Sequence, residues 1–271
     1  MTEATGLTII GGGKIGEALL SGLLRGSYRA QDIRLVERYP DRGRQLTEQY
    51  GITVLPVAEA AKASRTILIA VKPQDIDELL AELAQHVGPE HLVVSVAAGI
   101  PTARIEQALP SGPAVVRCMP NTPALVDEAM TAVCAGSRAD EAHLAEAEQL
   151  LSAVGRVVRV PESQLDAVTA LSGSGPAYFF FLVEAMIDAG ILLGLPRALA
   201  EQLIVQTLVG SAVMLRDSGE HPVRLREAVT SPAGTTIAAI RELERHGVRA
   251  AFLSAIEAAS LRSAELGRSA E

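Results

Sequence analysis

The chain has 271 residues, 48% of them apolar and 21% charged, which suits about two folded domains and excludes a disordered chain. A formal net charge of −8 excludes a general nucleic-acid binder, which needs a basic field. Aromatic residues make up only 3% and Trp is absent, so core volume has to come from Ala, Leu, Val and Ile, favouring close-packed helices and buried parallel strands.

The N-terminal part alternates. Leu7–Ile10 is a short apolar run, followed by a Gly-rich turn and an amphipathic stretch from Lys14 to Arg25. Ile33–Val36 is the next strand candidate, and a polar helix runs from there to Tyr50. Ile67–Val71 is continuously apolar, as a strand buried on both faces would be. Pro73 opens a helix with Ile76, Leu79, Leu80 and Leu83 on one side. Leu92–Val96, Ala114–Cys118 and Val157–Val160 complete the strand candidates. Strands and helices joined by short connections predict an α/β domain, a doubly wound parallel sheet over residues 1–160.

After Pro161 the pattern is helical. Helices are expected at 175–194, 196–216, 232–245 and 247–268, with no strand, giving an all-α domain over 161–271. The first two are apolar around much of their circumference. Such helices have to be buried, and so small a domain cannot bury them alone, which predicts packing against a second subunit. Tyr178 to Phe181 put four consecutive aromatics at the start of the first.

Cys118 and Cys134 form neither a disulfide framework nor a CxxC pair, and the five His are scattered, so no metal site is expected. The N-terminus carries no basic n-region, and the longest apolar stretch, Ala177–Val183, ends at Glu184. A soluble cytoplasmic protein without a membrane span is expected.

Gly11-Gly12-Gly13-Lys14-Ile15-Gly16 matches GxGxxG and sits between a strand and a helix. In that setting Gly11 permits the tight turn, Gly13 lets the backbone approach a pyrophosphate, and Gly16 allows close helix–strand packing. Glu37 closes the second strand candidate where an acid would hold the ribose 2′-hydroxyl of NAD. Arg38 follows it, where it would pair with the 2′-phosphate of NADP, and both readings stay open.

Three more strand ends carry unusual loops: Ala70-Val71-Lys72-Pro73, Ala97-Ala98-Gly99, and Pro120-Asn121-Thr122-Pro123. Together at one sheet edge they predict a lined cleft. Further on, Ser172-Gly173-Ser174-Gly175-Pro176 joins two helices. Thr230 to Thr236 reads as a helix start, with Ser231 as N-cap, Pro232 as N1, and free N–H groups on Ala233, Gly234 and Thr235 that suit a carboxylate.

These motifs resemble the pyrroline-5-carboxylate reductase family over nearly the whole chain. The resemblance rests on GGGKIG, AVKPQ (70–74), VAAGI (96–100), RCMPNTPA (117–124), LSGSGPAY (171–178) and VTSPAGTT (229–236). It implies reduction of the C=N bond of 1-pyrroline-5-carboxylate to give L-proline, with NADPH, or alternatively NADH, as the hydride donor. It also implies an N-terminal Rossmann domain and a helical C-terminal dimerisation domain, with homodimers that often assemble further into decamers. Gly11, Gly13, Lys14, Ile15, Gly16, Arg38, Ala70, Val71, Lys72, Pro73, Ala98 and Asn121 would then serve the cofactor, with Ala98 beside the nicotinamide. Ser231, Gly234, Thr235 and Thr236 would hold the imino-acid substrate, and the Thr236 hydroxyl would hydrogen-bond the ring nitrogen. Two positions depart from the family. Ala233 stands where a Gly is common, and Val57 falls near a position often occupied by a polar residue that contacts the cofactor.

A β-hydroxyacid dehydrogenase shares the N-terminal layout but uses a Lys of its second domain, and no Lys follows Lys72 here. A reductase of a different cyclic imine, such as the six-membered homologue, remains as an alternative. So does a non-catalytic dinucleotide-binding protein, which would not need Ser231 to Thr236.

Overall fold

Short apolar strands alternating with helices build one side of the chain, and helices alone build the other. In the computed structural model, which describes residues 6–268, the chain divides into two compact units. One runs to Ser174 and takes in the chain from Ala259 onward; the other is Gly175–Ala258.

The first unit begins β1 (Leu7–Ile10), α1 (Lys14–Arg25), β2 (Ile33–Val36), α2 (Pro40–Tyr50), β3 (Thr53–Val54), α3 (Val57–Lys62), β4 (Thr66–Ile69) and α4 (Ile76–Leu83). It continues with β5 (Leu92–Ser95), α5 (Thr102–Ala108), β6 (Ala114–Met119), β7 (Ala129–Ala135), α6 (Glu141–Leu151), β8 (Gly155–Arg159) and α7 (Leu165–Val168). The strands form one sheet in the order β3-β2-β1-β4-β5-β6-β7-β8. The reversal between β2-β1 and β1-β4 makes the predicted doubly wound crevice, at the carboxyl end of β1.

β1, β4 and β5 are buried on both faces, as their continuous apolar runs require. Thr8 lies in the middle of β1, and its hydroxyl is satisfied by Ala60 O at 3.0 Å and Ser64 Oγ at 2.9 Å. Two cores cover the two faces. Leu19, Leu20, Leu46 and Leu151 pack in one, and Ile67, Ile69, Leu80 and Ile105 in the other. Each such side chain contributes about 1.5–3 kcal/mol on burial.

The sheet is not wholly parallel. β6 and β7 pair antiparallel, with Val116 opposite Ala135 and Met119 opposite Ala132. Only a short loop with one 3-10 turn, Thr122–Val126, joins them, and without a crossover helix the chain can only reverse. The sequence reading missed β3, β7, α3, α5 and α6. The Ala-rich β7 has weak strand propensity and is held by its neighbours β6 and β8.

The second unit contains α8 (Gly175–Leu192), α9 (Arg197–Ser218), α10 (Pro222–Ala228) and α11 (Thr235–Arg245). The last helix, α12 (Val248–Arg268), starts in this unit. The short α10 was not expected. α8 and α9 pack on each other yet leave large apolar side chains in the open: Phe180 is 69% exposed, Phe181 74% and Leu192 87%. Contrary to expectation, the helical run Glu162–Leu192 and Arg197–Ser218 are each long and apolar enough to cross a membrane by length and composition alone.

Candidate active site

β1 delivers the chain to the crevice, and the Gly-rich loop turns it into α1. Gly11 has φ +105°, and a Cβ there would lie 2.6 Å from Ala70 O, so only glycine makes this turn beside β4. A Cβ at Gly16 would collide with Gly11 O, so the helix could not start so close to the strand. A Cβ at Gly13 would meet no atom within 4 Å, leaving the loop backbone facing open space. Lys14, Ile15 and Gly16 form a first helical turn that no side chain caps, so their N–H groups remain available to an anion.

A cavity of about 420 Å³ opens at this place. Gly11, Gly13, Arg38, Ala70, Val71 and Lys72 line it, which brings together half of the residues expected to serve a cofactor. Lys14, Ile15 and Gly16 are in the adjoining helical turn, Pro73 opens a 3-10 turn after Lys72, and Ala98 is exposed beyond β5; none of these lines the cavity. Asn121 is committed elsewhere. Its amide donates to Ser172 O at 3.2 Å and accepts from Met130 N at 2.9 Å, tying the β6–β7 loop to the turn before α8. Val57 does line the cavity, where it offers no polar atom.

Several lining residues escaped the sequence reading. Arg42 stands in the first turn of α2, donates from Nε to Gly12 O at 2.9 Å, and pairs with Glu17 on α1. Tyr39, Asp75, Glu78 and Glu82 complete the rim. Nothing in the local sequence distinguishes Arg42 from Arg44; its role comes from the packing of α2 on the loop. An uncapped helix start, a glycine turn and open space over Gly13 fit the pyrophosphate of a dinucleotide.

Behind the sheet's end, Glu162 accepts from Thr102 N at 2.8 Å, Thr102 Oγ1 at 2.6 Å and Arg117 at 3.0 Å. Burial alone would raise its pKa, but the Thr102 and Arg117 donors outweigh burial and hold the carboxyl below its ordinary range. Burial, with Glu162 nearby, pushes the Cys134 thiol up to about 11. Among the described residues no group of His, Cys, Asp and Glu is arranged to hold a metal ion.

The segment expected to bind substrate belongs to the second unit. Its local structure corrects the expected cap. Ser231 is not the N-cap and Pro232 is not N1: α11 begins at Thr235 with Gly234 as its N-cap. Gly234 N donates to Ser231 O at 3.1 Å, closing a turn, and Ala233 sits in the left-handed region at φ +56°. That reversed residue breaks the helical path from Pro232 and delays the helix. Ser231, Gly234, Thr235 and Thr236 nonetheless stay together, because Ser231 Oγ rests where a Gly234 Cβ would be. α11 has no side-chain cap, so its first N–H groups remain free for a carboxylate.

A doubly wound sheet with this loop at its crevice is the dinucleotide-binding domain of an oxidoreductase, and residues 6–99 match the family model described as NADP oxidoreductase, coenzyme F420-dependent. Residues 162–266 match the model described as pyrroline-5-carboxylate reductase dimerisation. The chain is 46% identical to the pyrroline-5-carboxylate reductase of Corynebacterium melassecola, over 97% of this chain and 99% of the relative. It is 47% identical to that of Mycobacterium tuberculosis (strain CDC 1551 / Oshkosh), over 96% of each. The solved pyrroline-5-carboxylate reductase of Coxiella burnetii superposes with a TM-score of 0.92 at 36% identity, over 97% of this chain and 99% of that one. The Plasmodium falciparum pyrroline carboxylate reductase, solved with NADP bound, gives a TM-score of 0.87 at 26% identity, over 97% and 98%. The chain belongs to the pyrroline-5-carboxylate reductase family.

Proposed function

We propose that this chain reduces 1-pyrroline-5-carboxylate to L-proline with NAD(P)H, the last step in making that amino acid. The near-full-length kinship with curated reductases of this substrate carries the reading. When bound, NAD(P)H supplies a hydride to the ring carbon of the C=N bond, and a proton ends on the ring nitrogen. The loop from Gly11 to Gly16, with Ala70 to Pro73, would hold the dinucleotide, and Ala98 would serve its nicotinamide end. Ser231, Gly234 and Thr235 hold the substrate carboxylate through the start of α11. The protein's main task is positioning, because the protonated imine brings its own electrophilicity.

Thr236 is the candidate polar helper, its hydroxyl bonded to the ring nitrogen. Such a donor contributes about 2–4 kcal/mol to the transition state. Thr236→Val should therefore lower kcat/KM by about 30- to 1000-fold, while an unchanged kcat/KM would remove Thr236 from the mechanism. The activity itself is tested by following loss of reduced-nicotinamide absorbance with pyrroline-5-carboxylate, with the six-membered imine as control. Oxidation with the five-membered ring supports the reading; oxidation with neither ring overturns it.

Residues 1–160 serve as the dinucleotide-binding domain and 161–271 as the substrate-binding and dimerisation domain. The exposed apolar sides of α8 and α9 then meet a second copy of the chain rather than a lipid bilayer, and dimers assemble further into a decamer. A cytoplasmic location follows from this reading.

A further inference from the structure

We propose that Glu162 is a positioning residue for hydride transfer: by capping α5 it fixes the loop that presents Ala98. The proposal rests on the reading that Ala98 serves the nicotinamide end, and adds what holds Ala98 in place. β1, β4 and β5 run parallel in adjacent positions, so the loop 96–101 leaves the same end of the sheet as the Gly-rich loop, where ligands of this fold bind. The start of that loop is held by the sheet. Val96 N donates to Ile69 O at 2.9 Å, and Ala97 N donates to Ser95 Oγ at 3.3 Å. Ala97 and Ile100 are buried, Ala98 is exposed between them, and Gly99 turns the chain at φ +74°.

The far end of the loop has no such local anchor. Pro101 stands at the N-cap of α5 and offers no side-chain acceptor to the first N–H groups of the helix. Glu162, 60 residues further on, supplies one. Its Oε1 accepts from both Thr102 N and Arg117, and its Oε2 accepts from the Thr102 hydroxyl. Arg117 is buried on β6, opposite Ser95 of β5, so the carboxylate is itself tied to the strand next to the loop's origin. Both ends of the loop are thus referred to the sheet, the first directly and the second through Glu162. Hydride transfer demands close alignment, and a misplacement of about 1 Å is enough to slow such a step about 100-fold.

The test is single-turnover oxidation of NAD(P)H by pyrroline-5-carboxylate, with both saturating, on the full chain and its folded variants, and with the dinucleotide Kd measured alongside. Glu162→Ala should slow hydride transfer about 10- to 100-fold and change the dinucleotide Kd by less than about twofold. Glu162→Gln should bring the rate back to within about threefold of the unaltered chain, because its amide oxygen accepts from Thr102 N and Arg117 while its NH2 donates to the Thr102 hydroxyl. Glu162→Ala also leaves the buried Arg117 without its carboxylate and costs stability. Thr102→Val removes one bond of the cap and keeps that ion pair, so it decides the matter if Glu162→Ala does not fold, and should slow the step at least about threefold. A hydride-transfer rate unchanged in Thr102→Val and in folded Glu162→Ala overturns the proposal. So does Glu162→Gln as slow as Glu162→Ala, since charge rather than the cap would then be the cause. An unaltered chain that oxidises NAD(P)H with neither the five- nor the six-membered imine overturns the underlying reading, and the proposal with it.

Discussion

The two units solve the problem of burial in opposite ways. The sheet unit closes its own cores: Ile9, Leu20, Leu35, Ile67 and Leu83 have essentially no exposed surface in a single chain. The helical unit leaves Phe180, Phe181 and Leu192 open. An aliphatic sheet covered on both faces by its own helices is complete in itself, and its strand ends can be held rigidly enough to shape a loop for a cofactor. Helices that expose aromatic and Leu side chains on this scale are half of a core. The sheet unit therefore forms its glycine-loop cavity within one chain, whereas the helical unit leaves an apolar surface that its own chain does not cover.

The sharpest way to break that contrast is Phe180→Asp. If α8 packs on a second subunit, an unpaired charge there should weaken association by about 4 kcal/mol, roughly a thousandfold in Kd. Sedimentation should then show a monomer whose thermal midpoint is depressed and no longer rises with concentration. A dimer of unchanged stability would place Phe180 outside the interface.

Next comes Gly16→Ala in the self-sufficient unit. Its methyl would collide with Gly11 O, so a loss of about 3 kcal/mol is expected, along with weakened dinucleotide binding at any protein concentration. Urea unfolding and cofactor titration measure the two effects.

A smaller effect, of opposite sign, is expected at the turn before α11. Ala233→Gly relieves a left-handed Ala and should stabilise the helical unit by about 1 kcal/mol. A fall in stability would show that the Ala233 methyl makes compensating contacts.

The least effect is a pH slope. Because the folded-state pKa of Glu162 is lowered, its contribution is present above the ordinary carboxylate pKa and is lost as pH falls through its lower folded value. Glu162→Gln should flatten the acid limb of the thermal midpoint against pH and leave the neutral region less affected. An acid limb of unchanged slope would show that other carboxylates set it.

What could be read from residues alone was whatever depends on near neighbours. β1, the glycine turn and the start of α1 were legible because strand, turn and helix signals follow one another within ten residues. β2 and β5 showed as short strand candidates, and α2 as the polar stretch that runs to Tyr50. The family resemblance was legible for the same reason: its motifs are short and contiguous. The start of α11 was misread because a local rule, Ser before Pro, was overridden by the reversed backbone at Ala233. Only the tertiary structure decided the antiparallel β7, which draws its hydrogen bonds from strands it is paired with rather than from its own composition. It also decided that Glu37 would be clamped by Gly12 and Tyr39, that Arg42 would be spent on the loop, and that Asn121 would brace Ser172. Those partners lie up to 51 residues apart. Sequence periodicity reports which side of an element is apolar, and says nothing about which distant donor that side will meet.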